Sequence, residues 1–161
     1  MNTYICLENL RSLYNVGAIF RTCSFYGFKN VILLGYSGVI TDLNNQKSIH
    51  PKVSKTSLQS QNDLNITMLN NSDDLKKFAT TNNLKIISIE QYKNSQNMHD
   101  YCKYNNFENS IIVFGNEVTG VEQQTLTISD HILEIEKKGT HNSLNVTTTC
   151  GIVLDSASNC K

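Results

Sequence analysis

Three stretches of this 161-residue chain place polar side chains in combinations that chemistry could use. The first, NVGAIFR at residues 15–21, sets an amide (Asn15), a glycine (Gly17) and a guanidinium (Arg21) within two helical turns. The second, FGNEVTG at 114–120, ends an apolar run in two glycines that bracket an amide and a carboxylate, Asn116 and Glu117. The third, GTHNSLNV at 139–146, sets two Asn, a Ser, a Thr and a His ahead of a mostly small and apolar run. Each has an ordinary structural use. Asn15 can cap a helix, with Gly17 a close-packing residue and Arg21 a solvated charge. Glu117 can accept backbone amides in a tight glycine turn, and Asn142 or Ser143 can cap the final helix. The other use is to line a pocket against which that helix packs.

Spacing excludes several familiar chemistries. Gly115 and Gly120 stand as in a phosphate-binding loop, but Val121 and Glu122 occupy the positions that need Lys and Ser or Thr. Two carboxylates, Glu117 and Glu122, would repel a triphosphate. No G-x-G-x-x-G occurs, which removes the main support for an ordinary dinucleotide fold. His141 beside Ser143 suggests a hydrolase, yet there is no G-x-S-x-G elbow. The histidines and cysteines are too scattered for a metal site. Five cysteines (Cys6, Cys23, Cys102, Cys150 and Cys160) form no C-x-x-C pair and leave one over in any pairing, which predicts reduced, mostly buried thiols. The formal charge is zero, against the basic excess usual in nucleic-acid binders. A local patch from Arg11, Lys52, Lys55, Lys137 and Lys138 stays open.

The elements that must position these stretches alternate. Apolar runs predict strands at 3–7, 30–35, 65–69, 84–90, 110–115 and 131–135. Between them, helical spacing predicts a helix that follows Asn15, a short one within 48–60, one over 72–82 capped by Ser72, a short one at 120–129, and a last one from about Leu144. Residues 91–109 read as a loop with one helical turn. Strands apolar on both faces point to a mostly parallel sheet with helices on both sides, whose ligands bind beyond the carboxyl ends of the strands. In the first helix, at about 100° per residue, the apolar stripe runs through Val16, Phe20 and Cys23, and Gly17, Arg21 and Ser24 lie roughly 80–140° away. Arg21 is therefore expected on the flank, with Gly17 leaving open space above it. Length predicts one domain over residues 1–161. No run is long enough to span a bilayer and the start shows no leader pattern, so a cytoplasmic protein without membrane association is expected.

Together the three stretches resemble, in order and rough spacing, the three motifs of the SpoU family, RNA ribose 2′-O-methyltransferases of the SPOUT superfamily. The matching segments are 15–21, 111–121 and 143–154; residues 7–28 also look like that family's opening, and VSKTS at 53–57 is similar to its Lys-Thr element. The resemblance implies an α/β fold with a C-terminal trefoil knot, no separate RNA-binding extension, and a homodimer whose sites borrow groups from each other. It implies S-adenosylmethionine as cofactor, no metal, and a ribose 2′-hydroxyl of tRNA or rRNA as substrate. By the same resemblance, Arg21 stands beside the attacking hydroxyl, with Asn15, Glu117, Ser143 and Asn145 around it. The cofactor would be held by Phe114, Gly115, Asn116 and Gly120 on one side and by Ile135, Gly139, Ser143 and Leu144 on the other. Where the family has Ile-Pro-Met, this chain has Ile135-Glu136-Lys137, a departure at the cofactor loop. A catalytically inactive SPOUT-fold protein that binds RNA or acts as a scaffold is the rival expectation. The neutral charge and that departure favour it, and retention of the five site residues opposes it.

Overall fold

A computed structural model of the chain describes residues 2–160. In chain order the elements are β1 (Thr3–Glu8), α1 (Leu13–Tyr26), β2 (Asn30–Leu34), β3 (Val39–Thr41), β4 (Lys47–Ile49), α2 (Pro51–Ser57) and a 3-10 turn at Ser60–Asp63. There follow β5 (Asn65–Leu69), α3 (Ser72–Thr81), β6 (Lys85–Ile89), β7 (Gln96–Asn97), α4 (Met98–Cys102), β8 (Ser110–Phe114), α5 (Gln123–Ile128), β9 (His131–Glu134) and α6 (Val146–Asn159). Seven strands form one sheet in the order β5-β2-β1-β8-β6-β9-β7, with every pairing parallel. Strands β3 and β4 make a separate antiparallel hairpin.

The two faces of the sheet follow from side-chain alternation. Ile5 and Leu7 of β1, Val31 and Leu33 of β2, and Ile112 and Phe114 of β8 point to one face, where α1 (Val16, Ile19, Phe20) and α6 (Val153, Leu154) cover them. Cys6, Ile32, Ile111 and Val113 point to the other, under Leu75 and Ala79 of α3 and Leu126 of α5. This is why β2 and β8 read as unbroken apolar runs. Burying each such Ile or Leu stabilises the fold by about 1.5–3 kcal/mol before chain entropy is charged against it. Among the described residues, no helix is long and apolar enough to cross a membrane.

Several sequence expectations are corrected here. Helix α1 starts at Leu13, two residues before Asn15, because the Ser12 side chain accepts the Asn15 amide as N-cap and Leu13 already packs against the core. Asn71, not Ser72, caps α3. The last helix begins at Val146 under an Asn145 cap, so neither Asn142 nor Ser143 caps it. The segment 91–109 holds a strand, β7, as well as a helical turn, α4. The space expected above Arg21 is filled: a Cβ on Gly17 would stand 1.9 Å from Thr56 Oγ1, because α2 lies directly on α1 at that point. Finally, Cys102 and Cys160 are joined as a disulfide, their Cα atoms 5.2 Å apart, because the end of α6 returns to α4; Cys6, Cys23 and Cys150 are free and buried.

Candidate active site

The carboxyl ends of β8, β6 and β9 lie side by side, and the segments that leave them enclose a cleft of about 830 Å³. The loop after β8, the residues after β6 and the long segment between β9 and α6 form its walls. All eight residues expected at the cofactor line it: Phe114, Gly115, Asn116, Gly120, Ile135, Gly139, Ser143 and Leu144. Glu117 and Asn145 line it too.

The β8–α5 loop holds its shape by backbone contact. A Cβ on Gly115 would sit 2.2 Å from the Val121 amide nitrogen, so the chain can fold back on itself only with glycine there. Gly120 takes φ 73°, a left-handed conformation that disfavours side chains. The Asn116 and Gly120 backbones exchange two hydrogen bonds of 3.0 and 2.9 Å. The buried Asn116 side chain completes the turn. Its Oδ1 accepts the Val118 and Thr119 amides, and its Nδ2 donates to the Asn9 carbonyl at 2.7 Å and to Tyr36 Oη at 3.1 Å.

Glu117 then links the first two motif stretches. Its Oε2 accepts the Arg11 amide at 3.0 Å; its Oε1 accepts the Ser12 amide at 3.0 Å and Asn15 Nδ2 at 2.9 Å. A carboxylate at the amino end of α1 also meets the positive end of the helix dipole. Partial burial pushes the Glu117 carboxyl up, but these donors outweigh it and hold the group below its ordinary value. The ordinary structural use of Glu117 is thus realised, and the same bonds fix the orientation of Asn15.

Arg21 lies elsewhere. It is exposed in a second depression of about 1020 Å³, between α1, the chain after α2, and Thr147 and Thr148 of α6. The two depressions flank the first turn of α6, whose Asn145 Oδ1 accepts the Thr147 amide at 2.8 Å and Thr147 Oγ1 at 2.6 Å. Within one chain, therefore, Asn15 meets Glu117, and Glu117, Ser143 and Asn145 share a cleft, while neither Asn15 nor Arg21 lines it. Ser143 is exposed, and its carbonyl meets His141 Nδ1 at 3.0 Å. Of the basic residues, Lys137 and Lys138 line the cleft, with Lys138 Nζ 4.0 Å from Glu136. Among the described residues, no cluster of three or more His, Cys, Asp or Glu is placed to hold a metal ion.

A model of the SpoU rRNA Methylase family matches residues 2–155. The chain belongs to the SpoU rRNA Methylase family. It is 31% identical over 157 residues to an uncharacterized tRNA/rRNA methyltransferase of Mycoplasma genitalium, covering 95% of this chain and 59% of that protein. The SpoU methyltransferase AviRb of Streptomyces viridochromogenes, solved in complex with the cofactor AdoMet, has the same fold. It gives a TM-score of 0.81 at 17% identity, over 97% of this chain and 59% of that one. A solved RNA 2′-O ribose methyltransferase gives 0.77 at 20% identity, over 97% of this chain and 55% of that one. This chain spans less than two thirds of each of them.

In this SpoU-family chain two carboxylates went unnoticed in the sequence. Glu8, at the end of β1, is 1% exposed; its Oε2 accepts the Glu122 amide at 2.8 Å and its Oε1 accepts Thr125 Oγ1, so it ties α5 to the sheet. Burial pushes its carboxyl up against the pull of those two bonds. Glu90 follows β6 and faces the cleft. The signal that finds both is position: each lies at the carboxyl end of a parallel strand, where such sheets place their sites.

Proposed function

We propose that this SpoU-family chain is an S-adenosylmethionine-dependent methyltransferase acting on a ribose 2′-hydroxyl of tRNA or rRNA. The observation that carries the reading is the convergence of the second and third motif stretches on one cleft, with Glu117 bonded to the first. The cleft suits the cofactor. Its volume lies within the ~300–1,000 Å³ usual for small-molecule sites, and Ile89, Phe114, Ile135 and Val146 give it apolar walls. The backbone of residues 137–144 makes no hydrogen bond to other backbone groups among the described residues, so that, the Ser143 carbonyl beside His141 apart, its amides and carbonyls are open to a purine. No cationic loop is needed for a ligand without phosphates.

When bound, S-adenosylmethionine supplies an electrophilic methyl group on a sulfonium. The chain's own tasks are alignment and care of the hydroxyl proton. Arg21 is a poor base, since a guanidinium has a pKa above about 12. Its role is to hold the phosphate beside the target ribose and to stabilise negative charge developing on the 2′-oxygen. The proton leaves to that phosphate or to water. Asn15, fixed by Glu117, and Asn145, at the head of α6, orient the sugar. Because Arg21 lies across the first turn of α6 from the cleft, the reading includes a homodimer in which the second copy completes each site. It also includes a trefoil knot formed by the segment from β9 through α6.

The rival, an inactive RNA-binding scaffold, draws on Glu136-Lys137, which put charge at the cleft rim in place of the family's Pro and Met. Purified protein, tritiated S-adenosylmethionine and total RNA from cells lacking the gene decide between them. Label recovered as 2′-O-methylnucleoside supports the enzyme. Cofactor binding without transfer to any RNA supports the scaffold.

A further inference from the structure

We propose that Glu90 reads the vicinal hydroxyls of the cofactor ribose and so acts as a specificity-determining residue of the cleft. This rests on the reading of the cleft as an S-adenosylmethionine site. Glu90 is half-buried at the end of β6, next to the apolar wall of Ile89 and Phe114. Its Oε2 accepts the Val121 amide at 2.9 Å, and its Oε1 accepts the Gln91 amide at 2.9 Å. Both oxygens are therefore held in place, and each keeps a lone pair for a further donor. Gly120 lets the loop backbone come this close: a Cβ there would stand 2.3 Å from Glu90 Oε2.

The other carboxylates of the cleft do not share this situation. Glu117 is turned onto the amino end of α1. Glu136 is exposed on the rim beside Lys138. Glu134 accepts no side-chain hydrogen bond among the described residues that would fix it. Glu90 is thus the anchored carboxylate not turned onto α1, in the same cleft wall as Gly115 and Ile135, where the adenosine half is proposed to sit. A fixed carboxylate, which only accepts, matches two neighbouring hydroxyls, which donate. The charged amino-acid tail is better served at the rim, where Glu136, Lys137 and Lys138 stay in contact with water and no full charge has to be buried.

The test is calorimetric titration of the purified chain with S-adenosylhomocysteine and with its 2′,3′-dideoxyribose analogue, using wild type and Glu90→Gln. Wild type is expected to prefer the natural ribose by about tenfold or more, a typical loss when a charged acceptor goes unpaired. Glu90→Gln is expected to lose most of that preference by binding S-adenosylhomocysteine about tenfold more weakly, while its affinity for the dideoxy analogue changes less than about twofold. Equal weakening toward both ligands assigns Glu90 a purely structural role and overturns the proposal, as does no weakening at all. Should the variant fail to fold, the wild-type arm decides: a preference under about twofold overturns it. A wild type that binds neither ligand nor S-adenosylmethionine fails the cofactor reading itself, a result distinct from the others.

Discussion

Glu117→Ala tests whether the β8–α5 loop and the amino end of α1 form one unit. The substitution removes the acceptor of three hydrogen bonds, from the Arg11 and Ser12 amides and from Asn15 Nδ2, all at 2.9–3.0 Å. Bonds to a charged acceptor are worth about 1.5–3 kcal/mol each in a dry setting. Glu117 is solvent-exposed, so screening and the cost of ordering the side chain cut the net to about 2 kcal/mol for the set. Ser12 still caps α1 through Asn15, so the helix survives. At roughly 2–4 °C per kcal/mol for a chain of this size, the melting temperature should fall by about 4–8 °C at pH 7. Glu117→Gln keeps one carbonyl acceptor and should fall about half as far. The pH dependence has a definite sign. Because the folded-state carboxyl is held below its ordinary value, its contribution is present above the unfolded pKa of about 4.3 and is lost as pH falls through the lower folded value. The gap between wild type and Glu117→Gln should therefore narrow from pH 7 to about pH 3. Scanning calorimetry at both pH values measures it. Coincident melting at pH 7, or a gap that does not narrow in acid, would show that Glu117 does not tie the loop to α1.

Two further substitutions bear on the site. Gly120→Ala must place a Cβ in a left-handed conformation and against the Glu90 carboxylate, so it should cost at least about 1–2 kcal/mol and weaken S-adenosylmethionine binding in calorimetry; unchanged stability and affinity would contradict the loop geometry. Arg21→Ala removes an exposed side chain outside the cleft, so melting temperature and cofactor affinity should stay near wild type while turnover falls by roughly 10²–10³-fold, and full turnover by the purified variant would remove Arg21 from the mechanism.

The parts of the fold that were legible in sequence are those written in local patterns. The mostly apolar runs NVILL and SIIVF are β2 and β8; β8 is the central strand of the sheet and β2 stands next but one to it, and both are buried on two faces. Parallel strands with such runs require helices above and below, and that logic gave the layering. Cap positions were misplaced because the chain is rich in Asn and Ser: several neighbours at each helix start have the right chemistry, and only the backbone shows that Asn145, Asn71 and Ser12 are used. The helical wheel placed Arg21 off the apolar stripe correctly, but no wheel shows that α2 occupies the flank at Gly17 or that the first turn of α6 separates Arg21 from the cleft. The Cys102–Cys160 pairing spans 58 residues and depends on where α6 ends. Glu8 looked like the polar end of a strand; its partners, Glu122 and Thr125, come from more than 110 residues away. Contacts of that range leave no mark in spacing.

We propose that the cleft at the carboxyl ends of β8, β6 and β9 seats a sulfonium methyl donor, and every role assigned around it depends on that. Isothermal titration of the purified chain with S-adenosylmethionine decides it. Saturable heat with one site per chain is expected, lost or strongly reduced in Gly120→Ala and retained in Arg21→Ala. No heat at high micromolar cofactor from a correctly folded wild type would contradict it.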